Sequence, residues 1–87
     1  MNFRQQAEHA VFRALRVACE DETLQPRPGD HLQHDLALDS MGFLQLAIDL
    51  ENFLDAPLGE DPEHLPETVL DLVELVFYRM EIQADVA

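Results

Sequence analysis

Lysine and tryptophan are absent from the 87-residue chain, and cysteine occurs once, at Cys19. A single cysteine excludes an internal disulfide, and we expect an ordinary half-buried thiol near the end of a helix. No apolar run approaches the roughly 18 residues that a transmembrane helix needs, and residues 1–16 lack a signal-peptide core. These absences predict a soluble, cytoplasmic protein without a membrane-inserted segment.

Positive charge is scarce as well. Five arginines oppose 18 acidic residues, so the formal net charge is −13 and the isoelectric point is about 4.3. Such a surface repels nucleic acid and anionic membranes and attracts partners that carry basic patches. The acids concentrate between residues 20 and 67, where Arg27 is the only arginine. The charge therefore disfavours a nucleic-acid-binding bundle and places the acidic surface in the middle of the chain.

Apolar residues recur at three- and four-residue steps, and the sequence contains neither an alternating strand pattern nor an internal repeat. A chain of this length is expected to form one domain, here residues 1–87. The predicted fold is all-α, a small four-helix bundle with three main helices and a short third helix. The helices are predicted at about 3–19, 40–54, 61–65 and 68–81, with a long loop at 20–38 and a frayed tail at 82–87.

Local signals set these boundaries. Two prolines and a glycine in "QPRPGDH" rule out a continuous helix through the loop. Pro62 suits the first position of the short helix, and Thr68 with Asp71 resembles a capping box at the start of the last helix. A structureless loop this long often carries function. Apolar residues expected to hold the loop against the helices are Leu24, Leu32, Leu36 and Leu38.

The second predicted helix has two apolar faces, whereas the first and last helices each have a single core stripe, beginning at Phe3 and at Val69. Met41, Leu44 and Ile48 lie opposite the core face, and one stripe of a bundle does not explain them. Either the loop or the short helix covers these three side chains, or they form an exposed strip that docks partners. The predicted core face consists of Phe43, Leu46, Ala47, Leu50, Phe53 and Leu54.

Ser40 stands at the start of this second helix. An Asp-Ser pair before an amphipathic run is typical of a helix N-cap, and on this interpretation Ser40 only starts the helix. Asp39 is already an adequate cap, however, and the N-terminus of a helix stabilises a bound phosphate. The residues alone leave both roles open.

The segment "DLALDSMGFLQLAIDLENFL", residues 35–54, resembles the signature of acyl carrier proteins and peptidyl carrier domains. In that family an Asp-Leu pair precedes Asp-Ser-Leu or Asp-Ser-Met at the start of the second helix. The predicted first helix, long loop, short third helix and "ETVLDLVELV" also match, so the resemblance covers nearly all of the chain. It implies a non-catalytic carrier that holds acyl or aminoacyl intermediates as thioesters on a covalent 4′-phosphopantetheine arm from coenzyme A.

The resemblance also implies roles for individual residues. Ser40 matches the serine that a phosphopantetheinyl transferase loads with the arm. Asp39 matches the acid before it, which assists the transferase and its Mg²⁺. Ala37 stands where many members have glycine, a departure that leaves the attachment site intact.

Partner-binding positions follow in the same way. Met41 and Ile48 match apolar positions of the recognition helix, and Gln45 stands where many members have glutamate. Glu51 and Asn52 fall where acidic residues often meet arginines of partner enzymes. The implied partners are an acyl- or aminoacyl-loading enzyme and downstream synthases with basic docking patches. Fatty acyl, polyketide and aminoacyl cargoes share this handle. The chain starts with methionine and ends soon after the last predicted helix, so we expect a free-standing protein and a monomer. The departures at Ala37 and Gln45 favour a specialised biosynthetic pathway.

Other chemistries fit the sequence less well. No loop has the spacing of a calcium site, no histidine pairs with cysteine at zinc spacing, and no G-x-S-x-G elbow surrounds Ser40. A serine hydroxyl needs a nearby base, and His31 and His34 lie upstream in the loop, so we expect the transferase to supply the activation. The alternative function is a carrier-like bundle that is never modified and acts as an acidic protein-interaction module.

Overall fold

A computed structural model describes residues 2–58 and 66–85, which contain three helices: α1 (Phe3–Ala18), α2 (Ser40–Leu54) and α3 (Val69–Asp85). This part of the chain has no β-strand, only an isolated bridge between His31 and Thr68. The predicted all-α class is therefore confirmed, and the short helix predicted at 61–65 lies outside the described residues. No helix of the described ranges is long and apolar enough to cross a membrane.

Capping interactions define both ends of α1. Asn2 Oδ1 accepts a hydrogen bond from the Gln5 N–H at 2.8 Å, and the Gln5 side chain accepts one from the Asn2 N–H. This reciprocal pair is a capping box, which satisfies two of the N–H groups that a helix start leaves without partners. Glu20 has a left-handed backbone (φ 53°), and the Asp21 N–H donates to the Arg16 carbonyl at 3.0 Å. This is the bond pattern of a Schellman motif, which stops the helix before the acidic run.

The core lies on both sides of α1, which packs against α2 and α3, whereas α2 and α3 contact each other much less. This arrangement leaves a space between α2 and α3. The predicted burial of two apolar side chains is wrong, because Phe3 and Phe53 are each 40% exposed. Phe3 is the first residue of α1, and Phe53 lies at the edge of the α2 core face. The buried helical side chains are Ala7, Ala10, Val11, Ala14, Leu15, Leu46, Leu50, Leu54, Val69, Leu72, Val73, Val76 and Met80.

The predicted capping box at the start of α3 is confirmed. The Thr68 N–H donates to Asp71 Oδ2 at 3.2 Å, and the Asp71 N–H donates to Thr68 Oγ1 at 3.1 Å. The end of α3 differs from the prediction, because the helix continues to Asp85 rather than ending near residue 81. Residues 86 and 87 of the predicted frayed tail lie outside the described residues. The Gln83 side-chain amide donates to the Leu54 carbonyl at the end of α2, at 2.7 Å, and this bond secures the last turns.

The long loop is fixed to the start of α3 by backbone hydrogen bonds. The Leu32 N–H donates to the Glu67 carbonyl at 2.9 Å, and the Val69 N–H donates to the Asp30 carbonyl at 3.0 Å. Leu32 and Leu38 are buried, as expected for residues that hold the loop against the helices, whereas the other two loop leucines are half-buried. The loop therefore occupies a fixed position beside the N-terminus of α2.

Candidate functional site

Ser40 is exposed at the first residue of α2, and Asp39 is the cap of that helix. Asp39 has an extended backbone, and its Oδ1 accepts a hydrogen bond from the Gly42 N–H at 2.7 Å. The Ser40 hydroxyl has no hydrogen-bond partner within residues 2–58 and 66–85. The capping of α2 therefore does not use the Ser40 hydroxyl, and the Ser40 oxygen remains available to another molecule.

No other aliphatic hydroxyl of the described residues is similarly available. Ser40 is the only serine of the chain, and the only threonines are Thr23 and Thr68. Thr23 Oγ1 donates to Asp21 Oδ1 at 2.7 Å, and Thr68 Oγ1 accepts from the backbone of α3. The structure therefore singles out Ser40 among the alcohol side chains of the loops and helix starts.

The residues before Ser40 hold it at the surface. Ala37 adopts a left-handed backbone with φ 55°, which turns the chain from the loop toward α2. Leu38 is buried, and its N–H donates to the Leu32 carbonyl at 3.0 Å. A Cβ on Gly42 would lie 2.9 Å from Leu38 Cδ2, so the absence of a side chain there allows the first turn of α2 to approach Leu38 closely. A buried leucine and a glycine together place the exposed serine.

A cavity of about 780 Å³ lies between α2, α3 and the long loop, and Ser40 is among its lining residues. We call it the α2–α3 cavity. Sequence reasoning did not find it, because its lining residues on α2 read as ordinary core positions. Its apolar wall includes Leu32, Leu46, Ala47, Leu50, Leu72 and Leu75.

Two histidines also line the α2–α3 cavity. The His31 and His34 rings lie with their centroids 4.3 Å apart and their planes tilted by 42°. His31 Nδ1 accepts hydrogen bonds from the backbone N–H groups of Gln33 and His34, both at 3.2 Å. Neither imidazole is hydrogen-bonded to Ser40 in the described residues, so this arrangement is not a base-activated nucleophile.

The second apolar face of α2 is open to solvent. Met41 is 71% exposed, Leu44 55% and Ile48 44%. We call these three residues the α2 strip. The three side chains are therefore exposed, as one of the two interpretations left open by the sequence requires, and their role in docking stays a prediction. Exposed apolar groups with a polar rim mark docking surfaces more often than chance.

The polar residues predicted to bind partners occupy different surroundings. Gln45 Nε2 donates to Asp49 Oδ1 at 3.0 Å on the solvent side of α2. Glu51 is half-buried, and its Oε2 accepts from the Leu58 N–H at 3.1 Å, so one of its oxygens is committed to the turn after α2. Asn52 is exposed and lines a groove between α1 and α2. The structure therefore leaves Gln45 and Asn52 on the surface and engages Glu51 internally.

Phe53 lines this second groove, together with Val17, Arg13 and Asp49. The volume of this second groove is about 390 Å³. Phe53 is exposed, although the sequence predicts a core residue, because it lines this open groove rather than the packed core.

Cys19 lies in surroundings that disfavour the reactive form of its thiol. Burial, and secondarily the negative charge of Asp21, raise the pKa of the Cys19 thiol, whose Sγ lies 3.7 Å from the Leu36 carbonyl oxygen. A raised pKa disfavours the thiolate, which is the nucleophilic form. In the part of the chain that the structure describes, no three His, Cys, Asp or Glu side chains are grouped so that they could hold a metal ion.

Comparisons with known proteins found no relative of this chain. No protein-family model, no curated protein and no solved structure matches the chain.

Proposed function

We propose that this protein is a carrier whose Ser40 receives a 4′-phosphopantetheine arm, on which acyl or aminoacyl intermediates are held as thioesters and presented to partner enzymes. The observation that carries the proposal is the Ser40 hydroxyl, which is exposed, without a hydrogen-bond partner in the described residues, and placed at the start of α2 beside the α2–α3 cavity. The resemblance of residues 35–54 to carrier-protein signatures supports it.

The residues around Ser40 fit a covalently attached phosphodiester. The N-terminus of a helix carries a partial positive charge that favours an anion, and Ser40 is the first residue of α2. Asp39 already satisfies the Gly42 N–H, so modification of the serine oxygen removes no hydrogen bond that stabilises the helix. The arm, when bound, supplies a terminal thiol that forms the thioester with the cargo.

Loading requires a nucleophilic attack by the Ser40 oxygen on the phosphorus of coenzyme A that carries the pantetheine. The new oxygen–phosphorus bond forms as the pyrophosphate linkage breaks, and adenosine bisphosphate leaves with the electron pair. The hydroxyl proton goes to a base of the transferase, because neither His31 nor His34 is hydrogen-bonded to Ser40. The carboxylate of Asp39 lies next to the attacking oxygen in sequence and is suited to assist the Mg²⁺ of the transferase.

The α2–α3 cavity suits an apolar cargo. Its volume of about 780 Å³ lies within the range of small-molecule sites, about 300–1,000 Å³. Leucine side chains dominate its wall, and burying an acyl chain there is worth about 0.8 kcal/mol for each methylene group removed from water. A cargo held in this way is protected from hydrolysis between visits to partner enzymes.

The α2 strip and the acidic charge suit transient partner binding. Met41 and Ile48 offer apolar contact, and methionine adapts to differently shaped partners. A net charge of −13 accelerates encounter with basic docking patches and makes association sensitive to salt. We infer that the partners are the transferase, an acyl- or aminoacyl-loading enzyme and downstream synthases of a specialised pathway.

The test is the intact mass of the protein after incubation with coenzyme A, Mg²⁺ and a broad-specificity phosphopantetheinyl transferase. The unmodified sequence is expected to gain one phosphopantetheine, and Ser40→Ala none. Thr23→Val is the matched control, because it removes a hydroxyl that is already hydrogen-bonded to Asp21, and it is expected to load normally. An unchanged mass of the parent protein, or a gain that persists in Ser40→Ala, contradicts the proposal.

A second candidate function is an unmodified acidic interaction module. The exposure of the α2 strip favours it, because docking through Met41 and Ile48 needs no arm. The same mass measurement separates the two candidates, since only the carrier changes mass at Ser40.

A further inference from the structure

The His31 ring is held in one orientation by its own loop. Its Nδ1 accepts two backbone N–H groups, and the backbone N–H of His31 donates to Asp35 Oδ2 at 2.7 Å. Because Nδ1 is an acceptor, the neutral ring carries its proton on Nε2. The bridge between His31 and Thr68 fixes the same residue against the start of α3. The ring therefore presents a donor from a fixed position beside the α2–α3 cavity.

Among the described residues that line the cavity, His31 and His34 are the only side chains that can carry a positive charge. His31, His34 and Ser40 line the same cavity, whereas none of the five arginines is among the described lining residues. Glu67 is the one carboxylate of that described lining. An anion attached to Ser40 thus meets few counter-charges in an acidic protein, and the two imidazoles line the same cavity as its attachment point.

Resting on the proposed function, we propose that His31 and His34 bind the phosphodiester of the arm and hold its first segment over the mouth of the α2–α3 cavity. A phosphodiester is an anion with strong acceptor oxygens, and the imidazole N–H groups are donors that suit it. His31 can donate from Nε2 while its Nδ1 accepts from the loop, and a donor on His34 becomes charge-assisted when that ring is protonated. The pair acts as a positioning site rather than as a catalytic one. It makes the placement of the arm dependent on pH.

The pH range of the test is the ordinary titration range of imidazole as a chemical group. Imidazoles ordinarily titrate between about pH 5 and 8, whereas aspartate and glutamate ordinarily ionise below this range. The acidic groups on the segments packed around the pair are Asp30 and Asp35 in the loop, Asp39 before α2, and Glu67 and Asp71 at the start of α3.

The experiment is phosphorus NMR of the loaded protein across about pH 5 to 8. A phosphodiester has no ionisation of its own there, so a resonance that moves with pH reports a neighbouring group that titrates. We expect the phosphorus resonance to shift along a titration curve in the parent protein and to lose most of that shift in His34→Gln. His31→Asn is expected to do the same, and its Oδ1 can replace the Nδ1 acceptor that keeps the loop folded.

The chain provides two matched controls. His9→Gln changes an exposed histidine of α1, and His64→Gln changes one outside the described residues; both are expected to keep the parent titration. A phosphorus resonance that stays constant with pH, or a titration that survives in His34→Gln or disappears only in His64→Gln, overturns this inference. A parent protein that gains no phosphopantetheine refutes the proposed function and the inference with it, so the two failures are distinguishable.

Discussion

Replacing Ala37 by glycine is expected to stabilise the protein. Ala37 has a φ of 55°, a left-handed conformation in which Cβ of an L-residue comes too close to the following carbonyl oxygen. The chain on either side prevents relaxation, since the Leu36 N–H donates to the His31 carbonyl at 3.1 Å and the Leu38 N–H donates to the Leu32 carbonyl. The strain at Ala37 is therefore present in the folded state and absent from the unfolded chain.

The size of the effect follows from two opposing contributions. The left-handed conformation costs about 1–2 kcal/mol for a residue with a Cβ. Glycine avoids that cost but loses more conformational freedom on folding, which reduces the gain in the free energy of unfolding by about 0.5–1 kcal/mol. The central values, about 1.5 and about 0.75 kcal/mol, leave an expected net gain in the free energy of unfolding of about 0.75 kcal/mol. In a domain of this size, such a gain raises Tm by about 2–8 °C.

Urea denaturation followed by circular dichroism measures this difference. Ala37→Gly is expected to move the midpoint to higher urea without changing the slope, because the surface exposed on unfolding stays the same. Ala37→Val is expected to lower the midpoint, since a β-branched residue tolerates a positive φ worse than alanine. Ala84→Gly, at an exposed position of α3, is the control and is expected to have no effect or to destabilise. An unchanged or lower midpoint for Ala37→Gly would refute the assignment of strain to this residue.

Three further measurements test the site and the core. Ser40→Ala is expected to change the free energy of unfolding, measured from the urea midpoint, by less than about 0.5 kcal/mol. Asp39→Ala removes the α2 cap and is expected to lower the free energy of unfolding by about 0.5–2 kcal/mol. Equal losses would contradict the assignment of the cap to Asp39. Leu50→Ala, at a site that is 1% exposed, is expected to lower the free energy of unfolding by about 2–5 kcal/mol in the same assay. Burial and the charge of Asp21 raise the pKa of Cys19, so alkylation by iodoacetamide near neutral pH is expected to be slower in the native protein than in urea; equal rates in the two states would contradict the raised pKa. The thiol's contribution to stability is present below its unfolded-state pKa and is lost as pH rises through its folded-state pKa.

Local signals in the sequence account for the helices well. The ranges predicted for the first two, 3–19 and 40–54, differ by at most one residue from Phe3–Ala18 and Ser40–Leu54. Both depend on short-range physics, namely three- and four-residue apolar spacing, caps and helix-breaking residues. The same reasoning identified Asp39 as a sufficient cap for α2, which is the role that it has.

Features that depend on distant residues were not predictable in this way. The last turns of α3 are secured by Gln83, whose amide reaches the Leu54 carbonyl, 29 positions away in sequence. Glu51 reads as a surface acid, yet it accepts from the Leu58 N–H. The His31 ring reaches the α2–α3 cavity because backbone pairing joins the loop to the start of α3. No local pattern encodes these contacts, because each depends on how the three helices are placed.

The position of the cavity explains how one helix of 15 residues can serve three purposes. The buried residues of α2 are Gly42, Leu46, Leu50 and Leu54, which follow one another at four-residue steps and so form a single narrow seam. These four buried residues join α2 to the bundle, and the other residues of the helix lie outside this buried seam. One flank borders the α2–α3 cavity, and the α2 strip faces solvent around Ile48. Leu46 and Leu50 belong both to this seam and to the wall of the α2–α3 cavity, whereas Met41 and Ile48 belong to neither. Because these two residues are exposed and outside the packing, they can vary without loss of the fold while the Ser40 end of α2 remains fixed.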